Sequence, residues 1–264
     1  MQTKFRLSVR WLCFAVLLAA AALRLAAQPG PAVTIDNRSG LPLEPDALPE
    51  AALALDRAQE GPLVLIIHTH ATEAYTGSPD FHSTDPEKSV VRVGQAIADA
   101  LNARGIPAVH ETSLIDLGNY NDAYPRMAGL AEDWLARYPS IQMVLDVHRD
   151  SLETDDGTQL ALRADVDGEA CAKLLLVMGS NGSGLEHPGW RQNLANAARL
   201  QALCEQRTPG LMRDLLLRAS RYNQHLTPRS MLLEVGTAGN SLEEALRSAD
   251  IFSQALADCL LGKA

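Results

Sequence analysis

Ile141-Gln142-Met143-Val144-Leu145-Asp146-Val147-His148-Arg149-Asp150 begins as an apolar run and ends in titratable side chains. A short run so rich in Met, Val and Leu has the pattern of a strand buried on both faces of a sheet. Two other segments repeat the pattern. Leu63-Val64-Leu65-Ile66-Ile67 leads into His68-Thr69-His70-Ala71-Thr72-Glu73, and Met231-Leu232-Leu233 leads into Glu234-Val235-Gly236. Open α/β sheets hold ligands beyond the C-terminal ends of their strands, which is where all three segments place imidazoles or carboxylates.

Between these strands the pattern alternates. A loop over 71–86, rich in Thr, Ser, Asp, Gly and Pro, precedes a helix over 87–104 whose apolar face is Val90, Val91, Val93, Ile97 and Leu101, with Gly105 as its stop. A strand over 106–110 follows, then a helix near 121–138. Strands at 158–166 and 172–178 read as a hairpin turning at Asp167-Gly168. A helix over 190–205, an irregular stretch, the strand at 231–235 and a helix over 241–261 complete the chain. Strands alternating with helices specify an α/β fold, a mainly parallel twisted sheet with helices on both faces.

The 264 residues allow one large domain or two. Residues 1–27 carry Lys4, Arg6 and Arg10 ahead of an apolar run from Trp11 to Ala27 broken only by Arg24. That layout reads as a single N-terminal membrane anchor, with a cleaved secretory signal as the alternative. Either way the body of the protein is exported, single-pass with its catalytic domain outside the cell membrane, or secreted. Residues 28–60, with Pro29, Pro31, Pro42, Pro45 and Pro49, read as a Pro-rich linker with one short helix at 49–59. Residues 61–264 then form the catalytic domain. Beyond residue 27 the chain holds 19 basic against 32 acidic residues, a balance of −13 that argues against nucleic acid as a partner. Cys13, Cys171, Cys204 and Cys259 form no CxxC pair, so neither cysteine-ligated zinc nor a disulfide framework is expected.

Hydrolytic zinc takes three protein ligands and leaves one position for water. His68, His70, Glu73, His148 and Glu234 supply suitable nitrogen and oxygen donors, and Asp146 or Asp150 is placed to orient a ligand imidazole. His68 and His70 are two apart, so on a strand they share a face. Arg149 is a candidate for stabilising an oxyanion or docking a carboxylate. Serine catalysis lacks a GxSxG elbow, and Gly179-Ser180-Asn181-Gly182-Ser183-Gly184 lacks the lysine of a phosphate loop.

Six ordered motifs together resemble the stage II sporulation protein P family. They are His68-Thr69-His70 with Glu73-Ala74-Tyr75, Val90-Val91-Arg92-Val93-Gly94, Asp146-Val147-His148-Arg149-Asp150, His187-Pro188-Gly189-Trp190, Arg221-Tyr222-Asn223-Gln224, and Leu233-Glu234-Val235-Gly236 with Asn240 and Glu243-Glu244-Ala245. The resemblance runs from about residue 61 to 255 and implies the fold of zinc-dependent N-acetylmuramoyl-L-alanine amidases. It implies a peptidoglycan hydrolase, anchored by one N-terminal helix, that removes stem peptides from glycan strands during engulfment in sporulation. Endopeptidase activity on peptide cross-links is the alternative, and a catalytically inactive wall-binding scaffold is a third. It also implies a lytic transglycosylase partner of the sporulation protein D type. Carried over, His68, His70, Glu73 and His148 become the Zn2+ ligands, with Glu87 competing with Glu73. Glu234 becomes the general base, with Arg149 beside it, and Asp150, His187 and Asn240 contact substrate.

Overall fold

The computed structural model describes residues 33–44 and 48–263. The three apolar runs form strands that lie side by side, because each is apolar on both faces and must be covered on both. In chain order the elements begin with strands β1 (Ile35–Arg38) and β2 (Val64–Ile67), helix α1 (Val90–Ala103), strand β3 (Ala108–His110) and helix α2 (Ala123–Arg137). Strand β4 (Met143–Asp150) follows, then β5 (Arg163–Val166), β6 (Glu169–Ala172) and β7 (Leu174–Met178). Helix α3 (Trp190–Arg207), strands β8 (Leu215–Arg218) and β9 (Met231–Thr237) and helix α4 (Leu242–Leu260) complete the domain. The main sheet runs β1-β8-β7-β9-β4-β2-β3, and β5 and β6 form a separate hairpin. Every pairing in the main sheet is parallel except β7 with β9.

Alternation along each strand sorts the side chains into two layers. Val64, Ile66, Met143, Leu145, Leu174, Leu176, Leu215, Leu217, Met231 and Leu233 face one side, where they pack with buried residues of α1, α3 and α4 in the main core. Leu65, Ile67 and Val144 face the other side and pack with Met127 and Ala131 of α2. Leu175, Val177 and Leu232 also face that second side, but α2 does not reach them, and they form a small cluster of their own with Leu216 and Tyr222. Helices therefore lie on both faces, three against one. The half of the second face formed by β9, β7, β8 and β1 has no helix over it among the described residues.

Helix ends follow local chemistry. Ser89 caps α1 by accepting from Val91 N–H, and Ser241 with Glu244 forms a capping box at α4. Gly94 in α1 leaves room for a histidine ring. A Cβ there would stand 2.4 Å from His68 Nε2 and 2.9 Å from His110 Nε2.

Three expectations change. The Pro-rich linker is part of the domain from Val33 onward. Ile35–Arg38 is an edge strand paired with β8, Leu53 is in the core, and no helix forms at 49–59 among the described residues. Extended chain packs there because partners elsewhere satisfy its backbone: Ala52 N–H donates to Asn196 and Leu55 N–H to Leu260 O. The hairpin expected between 158–166 and 172–178 is instead β5 with β6, still turning at Asp167-Gly168, while β7 joins the main sheet. The irregular stretch after α3 contains β8. The membrane segment lies outside the described residues, among which no helix is long and apolar enough to cross a membrane.

Candidate active site

Parity on the sheet decides what the site contains. Asp146 and His148 share the open side of β4 with Val144, and Glu234 shares the open side of β9 with Leu232. The β4–β9 register sets His148 directly opposite Glu234, and the β7–β9 register sets Leu175 on the other flank of Glu234. His148 is buried, with Nδ1 3.2 Å from Glu73 Oε2 and Nε2 2.9 Å from Asp146 Oδ1. The Asp146 contact is too oblique to satisfy Nε2 as a hydrogen bond. Asp146 is itself fixed by Thr69, which donates from its backbone N–H (2.9 Å) and its hydroxyl (2.6 Å). Burial would lower the His148 pKa, but Asp146 and Glu73 outweigh it and hold it well above the ordinary imidazole value.

The turn after β2 brings in the remaining groups. The Glu73 N–H bonds back to His70 O, so one turn carries both side chains to the edge of β4. His70 meets His148 edge to face with ring centroids 5.5 Å apart. Tyr120 stacks on the other face of His70 at 3.8 Å, and Tyr124 meets it edge-on. His70 Nδ1 and Glu234 Oε2 are buried atoms with no hydrogen-bond partner. Burial, with the Glu73 and Asp150 charges, pushes the Glu234 carboxyl up to about 8 against the opposing pull of His148 and Arg149.

These residues line the head of a groove of about 950 Å³ that continues over the helix-free half of the sheet. Its far arm is floored by Leu175, Val177, Leu216 and Leu232 and edged by Lys173, Arg213, Arg218 and Arg38. Asp150 lies at the junction, paired with Arg213 at 2.6 Å.

The donor chemistry suits zinc. Ligands about 2.0–2.1 Å from a tetrahedral centre lie about 3.3–3.4 Å apart, close to the His148–Glu73 contact of 3.2 Å. The unpartnered His70 Nδ1 adds a second nitrogen beside them. Among the described residues, no three such donors yet converge on a single point.

Other expected residues sit elsewhere. His68 continues the alternation of Val64 and Ile66 onto the α1 side, while the turn after β2 carries His70 to the other; His68 Nδ1 is 2.8 Å from Val147 O and its Nε2 2.7 Å from His110 Nε2. Burial lowers its pKa to about 3, so it is a neutral core histidine. Glu87 is on the surface, 3.4 Å from Arg92, which leaves Glu73 as the carboxylate beside His148. Arg149 borders the groove, but its guanidinium donates to Ala74 O and Phe81 O, both at 3.0 Å, and its backbone N–H donates to Glu73. It fastens the Glu73 turn, with Nη1 also 3.7 Å from Glu73 Oε1. Asn240 is fully buried, donating to Leu162 O and Glu244 and accepting from Thr237 N–H. His187 is buried where α3 begins, away from the groove lining. Sequence reasoning missed Tyr120, Tyr124 and Lys173, though the i, i+4 spacing of the two tyrosines was a readable signal.

Residues 33–257 match the family model described as "Stage II sporulation protein P (SpoIIP)". The stage II sporulation protein P of Bacillus subtilis (strain 168) is 32% identical over 229 residues, covering 75% of this chain and 54% of that protein. The chain thus spans about half the length of that relative. Among solved structures, the N-acetylmuramoyl-L-alanine amidase AmiC2 of Nostoc punctiforme is 15% identical, with 77% of this chain and 98% of that one covered at a TM-score of 0.44. The amidase Ami1 from Mycobacterium smegmatis is 13% identical, with coverages of 76% and 98% and a TM-score of 0.45.

Proposed function

The chain belongs to the stage II sporulation protein P family, and from that premise we propose that it is a zinc-dependent hydrolase of peptidoglycan, an N-acetylmuramoyl-L-alanine amidase that removes stem peptides from glycan strands. The observation that carries the reading is the row His148–Glu234 across β4 and β9, with Glu73 and His70 closing on His148 from the β2 turn. Two nitrogens, a carboxylate and a second carboxylate opposite are the parts that hydrolysis of an amide by activated water requires.

In this reading His70, Glu73 and His148 hold the metal. Zinc held there supplies Lewis acidity and lowers the pKa of water to about 7. The Asp146 charge, 2.9 Å from His148 Nε2, attracts that side of the ring and leaves Nδ1 beside Glu73. A cation held beside Glu234 would favour its ionised form against the effect of burial, and that carboxylate would take the proton of the attacking water and return it to the leaving nitrogen, so that the amine departs neutral. Arg149 holds the Glu73 turn by binding two of its carbonyls. Tyr120 and Tyr124 pack on His70 and restrict its ring. The apolar run from Trp11 to Ala27 is the sequence basis for placing this chemistry at the outer face of a membrane.

Purified peptidoglycan digested by the protein, with and without chelator and added zinc, tests the proposal by mass spectrometry. Free stem peptides and peptide-free glycan, lost on chelation and restored by zinc, are expected. Split cross-links with stems still attached to glycan would move the assignment to an endopeptidase. Product formation indifferent to chelation would remove the metal from the mechanism.

A further inference from the structure

The far arm of the groove carries four cations, Arg38, Lys173, Arg213 and Arg218, against the three carboxylates Asp36, Asp150 and Asp214, on a chain whose net charge is −9. Most of these charges are already matched. Arg213 holds Asp150 at 2.6 Å and Arg38 holds Asp36 at 2.6 Å. Lys173 and Arg218 have no carboxylate within 4.0 Å among the described residues. Arg218 is exposed at the far end, where water solvates it. Lys173 is half-buried on the groove wall, and a cation there with no carboxylate beside it among the described residues favours an anionic ligand.

Its position follows from the one antiparallel pairing. Because β7 runs against β9, the start of β7 lies at the C-terminal end of β9, beside the reacting groups. Lys173 O accepts from Gly236 N–H at 3.0 Å, and Leu175 stands opposite Glu234. Lys173 therefore shares the open side with Leu175 and is the diagonal neighbour of Glu234. That relation sets the two Cβ atoms about 7–8 Å apart, within reach of a lysine side chain. The β9 residue opposite Lys173 is Gly236, whose φ of 75° suits glycine and which places no side chain beside the lysine; Thr237 pairs with Asp150 on the other flank.

We propose that Lys173 is a specificity-determining residue, pairing with the free α-carboxylate of a γ-linked glutamate one residue beyond the scissile amide. The inference rests on the amidase reading and orients the substrate: the peptide lies along β9, β7 and β8, and the glycan leaves past Tyr120. The lengths agree. One extended residue spans about 3.3–3.6 Å, and the next Cα and carboxyl carbon bring the carboxylate to about 6 Å from the scissile nitrogen. Amidation of that carboxyl removes the charge and leaves Lys173 facing a neutral carboxamide.

The test uses soluble disaccharide-peptides carrying either the carboxylate or the carboxamide at that glutamate, with the intact protein. One charge-assisted contact predicts a kcat/KM about tenfold or more higher for the carboxylate, expressed mainly in KM. Lys173→Met should bring the two substrates to equality, Lys173→Glu should invert the preference, and Lys173→Arg should retain it, which also controls for folding. A wild type indifferent to amidation, or an unchanged preference in Lys173→Met, would overturn the inference while leaving the amidase reading intact. If neither substrate is turned over, calorimetric binding of the same two compounds decides. A carboxylate preference lost in Lys173→Met then keeps the subsite and sinks the reaction, whereas equal or absent binding sinks the subsite.

Discussion

Gly94→Ala sets two effects of opposite sign against each other. In the middle of α1, alanine is intrinsically more favourable than glycine by about 1 kcal/mol, so on helix propensity alone the variant gains stability. The structure predicts the reverse. The added Cβ would stand 2.4 Å from His68 Nε2 and 2.6 Å from its Cε1, far inside contact distance. The ring has nowhere to retreat, since Nδ1 is tied to Val147 O and Nε2 faces His110 Nε2. Relief requires moving α1, at about 1–3 kcal/mol for overpacking, or losing a buried hydrogen bond at a similar cost. The propensity gain of about 1 kcal/mol offsets part of this, leaving a net loss of about 1 kcal/mol within a range of about 0–2 kcal/mol. At about 2–4 °C per kcal/mol for a domain of this size, thermal unfolding should move down by about 2–4 °C. Removing the ring opens the space, so in the Gly94→Ala/His68→Ala pair the alanine at 94 should cost less than it does alone, with a coupling of about 1 kcal/mol or more by urea denaturation. A Gly94→Ala protein more stable than wild type, or strict additivity in the double mutant, would refute the packing of His68 beneath α1.

Three further outcomes follow from the site. Glu234→Gln should lower kcat by about 10²–10⁴-fold with zinc affinity retained, because it removes the proton acceptor without touching a proposed ligand; unchanged turnover would take Glu234 out of the mechanism. Calorimetric zinc titration should show binding abolished by His148→Ala and by His70→Ala but not by His68→Gln, and a zinc affinity dependent on His68 would reverse the assignment of the two histidines. His187 is buried and held neutral, its pKa lowered to about 4 by burial and by repulsion from His225 and Arg221. Because the unfolded chain takes up that proton near pH 6.5 and the native state does not, His187 disfavours the native state progressively as pH falls from about 6.5 to 4. A His187→Gln variant should show a flatter dependence of urea-unfolding stability over that window; the same slope as wild type would show that other groups carry it.

The sheet was legible where strands are apolar on both faces, as in Leu63–Ile67 and Met143–Leu145, since a buried strand announces itself without its partners. β8 and β1 were not. Leu215–Arg218 is a bare four residues with no turn signal of its own, and Ile35–Arg38 has one apolar side chain, which suffices at an edge facing a wet groove. The site divides in the same way. That His148, Glu234 and Glu73 lie near one another was readable, because titratable groups at the ends of buried strands are unusual. His68 and His70 do not share a face because two-residue periodicity holds only while the strand lasts: His68 keeps the side of Ile66, and the turn after β2 sends His70 to the other. The contacts of Arg149 were illegible for a different reason. The carbonyls that take up its guanidinium, at Ala74 and Phe81, belong to a loop whose path no local pattern specifies.

The edge strand β1 has a mechanical consequence. It is joined to the rest of the sheet by four residue pairs on one side only, and Asp36 and Arg38 on it form part of the groove wall. A chain under tension ahead of Val33 loads this ladder before any other part of the domain. The yielding element is therefore also a wall of the groove, so the same pull that frays β1 widens the far arm while His148 and Glu234, on central strands, keep their spacing. Tension on the preceding chain would act on how substrate is gripped and leave the reacting groups in register.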